Sequence, residues 1–374
     1  MRMKKLMILA VAAIGLVACS KAFDVNTTEG SPIGFGTWAD VMTKRTPTAT
    51  IFANGDDFNV FGSKVVSSTP YMVFNGDVVT KSGENWNYTP ARFWDPSASG
   101  YTFYAISPAG LLPADMTDDQ KTTAATTGAF STKELTFDGT VAYDVLVSKK
   151  TPVAPANFND DVNLDFQHVA SLVDVKIKKS YALKDATVTV TAISLENIVK
   201  KGTYNVASYV STPGTNLNKP VVAVANWVPA ASEATGSFTG NTGTVGQYGY
   251  ADVPGEAISG EAFEAFPSFV AMPQNLVAAN GANPQQIKIS YTIVVGGETI
   301  THSNKIVAFS AFDTVDNKVN TATAGDPATW AASAWNPNTH YIYTLTLDAN
   351  KIDFTASITD WSDTVINGYY NLVQ

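Results

Sequence analysis

The sequence predicts an all-β protein, and three observations carry that reading. Apolar residues recur with period two wherever a pattern is clear, convincing helical periodicity is absent, and the runs are short and separated by Gly, Pro, Asn and Asp clusters. Val173, Val175 and Ile177 alternate with Asp174, Lys176 and Lys178, the mark of a half-buried strand. The same alternation returns at Ile287, Ile289, Tyr291 and Ile293, at Tyr341 to Leu347, and at Ile352 to Ile358. Between Val190 and Ile193 the phase slips by one residue, which a strand absorbs as a bulge. Only the polar stretch Pro113 to Lys121 has room for a helical turn or two.

A chain of 374 residues, 45% hydrophobic and 15% charged, has ample core for more than one domain, and one sandwich of ~100 residues cannot absorb this many strands. The least periodic central stretch, Thr151 to Asp161, places a boundary near residue 160 and predicts two β-sandwiches, at residues 46–160 and 161–374. The formal net charge is −9, and losing Arg2, Lys4 and Lys5 with a cleaved leader makes it more negative by three. Such a chain repels nucleic-acid phosphates, and no basic stripe offsets this.

Residues 1–18 read as a secretory signal, with a basic start followed by the apolar run Leu6 to Val17, too short to span a bilayer. Leu16-Val17-Ala18-Cys19 resembles the bacterial lipobox, in which the cysteine carries acyl chains such as palmitate; the bland alternative is an incidental cysteine in an ordinary signal. Each buried CH₂ contributes ~0.8 kcal/mol, so a multiply acylated Cys19 holds a protein firmly to a membrane. Cys19 is the sole cysteine, so the chain has no internal disulfide.

Chemistry is sparse. His168, His302 and His340 lack metal-ligand spacing; His168, placed at the opening of a strand, reads as a packed imidazole. No nucleophile elbow, phosphate loop or dinucleotide fingerprint occurs. Asp56-Asp57, Asp118-Asp119 and Asp160-Asp161 are the candidate acid/base pairs, but adjacent carboxylates in turns are ordinarily solvated. Trp86, Trp94 and Trp361 lie in apolar alternating contexts and read as core. The expectation is no enzyme, no metal and no cofactor.

Several segments in order and spacing, over essentially the whole chain, resemble the fimbrillin family of type V pilus proteins. They are Pro32-Ile33-Gly34-Phe35-Gly36, Lys44-Arg45-Thr46, Trp86-Asn87-Tyr88, Arg92-Phe93-Trp94 and Tyr101 to Ala105. Leu164-Asp165-Phe166-Gln167-His168, Met272-Pro273-Gln274, His340 to Tyr343, Ile352-Asp353-Phe354 and Ile358 to Trp361 complete the set. The resemblance implies two tandem transthyretin-like β-sandwiches and a lipidated precursor that reaches the outer membrane. It also implies an arginine-specific protease that removes the N-terminal segment, and a neighbouring subunit's strand that fills the vacated groove.

The sequence contains parts for that scheme. After the leader only Arg45 and Arg92 remain; Arg92 lies among aromatic strand residues, while Arg45 and Thr46 sit in a polar connector open to a protease. Cleavage there releases residues 19–45, in which Ile33, Phe35 and Val41 share one face of a strand-like stretch. Burying the three is worth about 5–9 kcal/mol as an upper figure, so an emptied groove is a strong acceptor. At the other end, residues 362–374 place Val365, Tyr369 and Val373 at every fourth position, with Ile366, Tyr370 and Leu372 on the opposite face. That tail is either a donor strand or the last edge strand of its own domain. The competing functional readings are a surface lipoprotein that binds glycans on aromatic platforms, and a hydrolase with two converging carboxylates. As a fimbrial subunit the chain would meet other subunits and, if adhesive, a host or bacterial surface receptor.

Overall fold

The structure is a computed structural model that describes residues 30–39, 52, 54–137, 144–148, 150–206, 209–211, 218–220, 223–232, 234–248, 260–277, 281–309, 334–350 and 352–360. These residues form an all-β protein built around two hydrophobic cores.

The first sheet has eight strands: β1 (Phe35–Ala39), β2 (Asp57–Val66), β3 (Thr69–Ser82), β4 (Asn85–Asn87), β5 (Gly100–Ser107), β6 (Leu146–Ser148), β7 (Thr151–Val153) and β8 (Val162–His168). Their order is β1-β8-β6-β5-β2-β3-β4, with β7 also against β5. Aromatic and β-branched side chains from β2, β3, β5 and β8 fill the space on both faces: Phe58, Phe74 and Phe103 lie against Phe35 on one, and Phe61 against Phe130 on the other, all four being fully buried. A small ladder at Lys201–Val206, paired with Trp227–Pro229, Phe130–Ser131 and Leu135–Thr136, adds Tyr204, Val206 and Trp227 to that core.

The second core lies between two further sheets. Strands β9 (Ser171–Lys179), β13 (Phe263–Ala271), β16 (Thr339–Leu347) and β17 (Ile352–Asp360) form one, in the order β13-β9-β16-β17. The other holds β10 (Thr187–Val199), β11 (Thr235–Thr239), β12 (Gly243–Thr244), β14 (Gln286–Val295) and β15 (Glu298–Ala308), in the order β11-β10-β14-β15 with β12 also on β10. Val173, Val175 and Ile177 from the first face Val188, Ile287, Ile289 and Ile293 from the second. This is the inward half of the alternation read from the sequence. The bulge expected near Ile193 is a register shift between Val190 and Ala192.

Three placements differ from the sequence reading. Residue 160 precedes β8, which pairs with β1 and β6 in the first sheet; the chain passes from one core to the other between Leu172 and Val173. His168 closes its strand instead of opening one, because the chain leaves the sheet at Val169 to start β9 two residues later. A helix, α1 (Asp118–Thr127), begins where only a turn or two is legible upstream. Thr117 and Gln120 form a capping box at its start and Gly128, in the left-handed region at φ 79°, ends it. Only Ala124 and Ala125 are buried, so no apolar stripe announces the helix.

Candidate functional site

The N-terminal strand is the feature through which this fold bears on assembly. β1 lies at the edge of the first sheet, parallel to β8, in the register Phe35↔Val162 to Ala39↔Phe166. Ahead of it the chain runs antiparallel past residues 92–94. Ile33 N donates to Arg92 O at 2.9 Å, Trp94 N donates to Ser31 O at 3.0 Å, and Val162 N donates to Gly34 O at 2.8 Å. Pro32 bridges to Phe93, where its missing N–H costs no ladder bond. Gly30 fits closely at the entrance, since a Cβ there would collide with the Trp94 carbonyl oxygen.

The segment is also a plug. Ile33 is 2% exposed and Phe35 5% exposed, both within the first core. The Phe35 ring meets Phe58, Phe74, Tyr88 and Phe103 edge-on, with centroids 5.4–6.0 Å apart. The Tyr88 hydroxyl donates to Ile33 O at 2.7 Å and accepts from Arg92 N at 3.3 Å; burial raises its pKa, so it stays a neutral donor. Ser31 Oγ donates to Asn159 Oδ1 at 2.7 Å, tying the segment's start to the loop before β8.

Arg92 is occupied. Its Nε donates to Val73 O at 3.0 Å, Nη1 to Pro90 O at 3.0 Å, and Nη2 reaches Asp77 Oδ1 at 3.3 Å, with the guanidinium 5.8 Å from the Phe74 ring. A protease must draw an extended strand containing its target into the cleft, and this one is anchored on both backbone and side chain.

The wall behind Trp94 is fixed by charge. Lys64 Nζ donates to Asp95 Oδ2 at 2.6 Å, and the Ser97 N–H and hydroxyl donate to Oδ1. These bonds, Lys64 first, lower the Asp95 pKa to about 2. A carboxyl depressed by folding adds stability above its unfolded pKa near 3.8 and withdraws it as pH falls toward about 2. The expected outcome is that Lys64→Met flattens the acid limb of a stability-against-pH curve between about pH 4 and 2. With that side chain 27% exposed, the effect at neutral pH is small.

Cys19, Val41, Arg45, Thr46, Val365, Tyr369 and Val373 lie outside the described residues. Ser31 and Asp95 carry no signal in the sequence that marks them, while Tyr88 stands in the Trp86-Asn87-Tyr88 segment that carries the family resemblance. Trp94 is buried, and Trp86 packs against the first core. The exposed large rings among the described residues are Tyr71 and Phe93. Asp118 and Asp119 occupy the exposed first turn of α1, and Asp160 and Asp161 are exposed. Asp57 Oδ1 accepts from Ala109 N at 2.8 Å. His168 Nδ1 is buried 2.8 Å from Asp144 Oδ1. Among the described residues no group of three or more His, Cys, Asp or Glu is placed to hold a metal, and no helix is long and apolar enough to cross a membrane.

Across the described residues the fold is thus that of an all-β protein whose own edge strand contributes Ile33 and Phe35 to its core. The fimbrillin-like family model matches residues 43–361, and the chain belongs to that family. It is similar to the fimbrium subunit Fim1C of Phocaeicola vulgatus, 22% identical across 96% of this chain and 97% of the relative. A fimbrial protein from Bacteroides vulgatus has a similar fold, with a TM-score of 0.51 and 17% identity over 88% of this chain and 99% of that one. Family and relatives together support a structural subunit of a fimbrium.

Proposed function

We propose that this chain is a structural or adhesive subunit of a cell-surface fimbria that is exported as a lipoprotein, acylated on Cys19 and held at the outer membrane. An arginine-specific protease cuts after Arg45, and subunits then join by β-strand addition. The observation that supports this most directly is the burial of Ile33 and Phe35 in the first core by a segment that precedes Arg45. Once the peptide after Arg45 is broken, β1 is held by non-covalent contacts alone. Its departure uncovers a slot lined by Phe58, Phe74, Tyr88 and Phe103 and the unpaired edge of β8. An extended apolar strand from a second subunit restores both the burial and the ladder. The fimbrium subunit Fim1C, similar along nearly its whole length, agrees with this reading.

The test uses the lipid-free mature chain and an arginine-specific protease. The expected result is one cut after Arg45, Arg92 left intact, and loss of the N-terminal fragment on addition of a peptide of residues 362–374, or growth of oligomers. Cutting at Arg92 in the folded protein overturns the proposal. So does a clean cut at Arg45 followed by neither oligomers nor capture of any donor strand from a second subunit. The glycan-binding alternative requires a flat platform of exposed rings, and Tyr71 and Phe93 are the two large exposed rings among the described residues.

A further inference from the structure

The second unit carries an open edge of its own. β15 ends the sheet order β11-β10-β14-β15, and among the described residues it pairs with β14 alone. Most of its residues are exposed, Ile300 at 41% and Ile306 at 57%. Natural sheets protect long edges with charge, proline or bulges. Here the bulge lies in the far half. Lys305 sits there, and Ser303-Asn304 form a bulge opposite Ser290, with Asn304 at φ 51° and its N–H donating to Ser290 Oγ at 2.9 Å. The near half, Glu298 to His302, is regular and β-prone, with Glu298 beside the turn as its one carboxylate.

The hairpin that leads into it sets which groups face outward. Gly296 and Gly297 have φ of 60° and 87°, both central positions of a two-residue turn in the left-handed region, so Val295 and Glu298 form the hydrogen-bonded pair that closes it. Hydrogen bonding alternates along an antiparallel pair, so Glu298, Ile300 and His302 direct their backbone groups to β14. Thr299 and Thr301 direct theirs out of the sheet.

We propose that Glu298–His302 is a self-complementary edge on which two copies of this chain pair antiparallel about a twofold axis at Ile300. In that register Thr299 of each copy faces Thr301 of the other, and these are the residues with free outward N–H and C=O groups. Ile300 meets Ile300 at the closely spaced, non-hydrogen-bonded position, removing an exposed aliphatic side chain on both sides from water. Glu298 faces His302 at each end, where the imidazole lies stacked on Tyr291 with centroids 4.6 Å apart. A register with any other centre loses one of these matches, and the bulge at Ser303-Asn304 stops the pairing from running on. Charge selects the same place: the chain is net acidic at −9, while β15 carries one acid, Glu298, and one base, Lys305, so copies meet here with little repulsion. The contact is lateral and needs no vacated groove. It operates with β1 in place, so it stands or falls separately from strand addition.

The experiment is sedimentation velocity on the uncleaved, lipid-free mature chain with Cys19→Ser, across a concentration series. A concentration-dependent dimer is expected. Thr301→Pro, which removes an outward N–H without touching the β14 ladder, and Ile300→Lys should each weaken it about tenfold or more, while Ile306→Lys beyond the bulge leaves it intact. Under oxidation, Ile300→Cys in the same background should give an interchain disulfide, since the dyad brings the two positions within disulfide reach, and Ile306→Cys should give none. Thermal melts check that each variant is folded. A protein that stays monomeric throughout, a dimer indifferent to both edge substitutions, or cross-linking of Ile300→Cys only to a tail residue engineered to cysteine overturns the proposal.

Discussion

Phe35→Ala is expected to lower the unfolding free energy of the first core by about 3–5 kcal/mol, the usual cost of deleting a buried aromatic ring. The site has reason to fall in that range. The ring is 5% exposed and touches four other aromatic rings, and these are held by β2, β3, β5 and the segment before Trp94, so they cannot collapse inward to fill the void. Denaturant midpoints followed by a probe in the first sheet check the value. Phe93→Ala, on a ring 45% exposed on the neighbouring stretch, serves as the control and should cost under about 0.5 kcal/mol. A loss below about 1 kcal/mol for Phe35→Ala would show that β1 lies on the sheet without plugging it. The same substitution bears on assembly: after cleavage at Arg45, a segment lacking this ring should leave its groove faster and be displaced by a donor at lower concentration.

His340→Leu should also destabilise the second unit. His340 Nε2 lies 3.2 Å from Asp174 Oδ2, with the two side chains 7% and 6% exposed. Both sit on even positions of adjacent parallel strands β9 and β16, the face of β9 that also carries Leu172 of the first core. Removing the imidazole leaves the buried Asp174 side chain without that polar neighbour, a change that typically costs about 1–3 kcal/mol. Replacing both, His340→Leu with Asp174→Leu, removes the stranded polar group and should recover most of the loss, because exchanging both partners for apolar side chains is close to neutral. Equal destabilisation of the single and double variants would show that packing, not the unpartnered polar group, governs the site.

The strand at 286–295 is legible because one face is buried and the other is not, which writes period two into the sequence; at 171–179 and 339–347 the sequence still alternates apolar with polar residues, although Asp174 and His340 on the second face are buried too. The bulge near Ala192 was legible for the same reason, as a slip in that period. Helix α1 escaped because it buries two alanines only; its true signals were the Thr117/Gln120 capping box and Gly128, which are end marks with no periodic face between them. In the candidate site, Ile33 and Phe35 stand out by the family resemblance of residues 32–36 together with the alternation. Tyr88 and Arg92, which hold that segment 55 and 59 residues away in the chain, carry no local pattern that ties them to it.

By itself, then, the amino-acid order determined that this is a β protein with a strand-like apolar stretch ahead of Arg45, since side-chain alternation is a property of consecutive residues. Strand neighbours are not. Only the tertiary structure decided that β1 runs parallel to β8, that residues 162–168 belong to the first sheet and not the second, and that among the described residues β15 ends its sheet. Those outcomes depend on hydrogen bonds and burial between segments far apart in the chain, where the geometry of the whole fold chooses among edges that look alike locally.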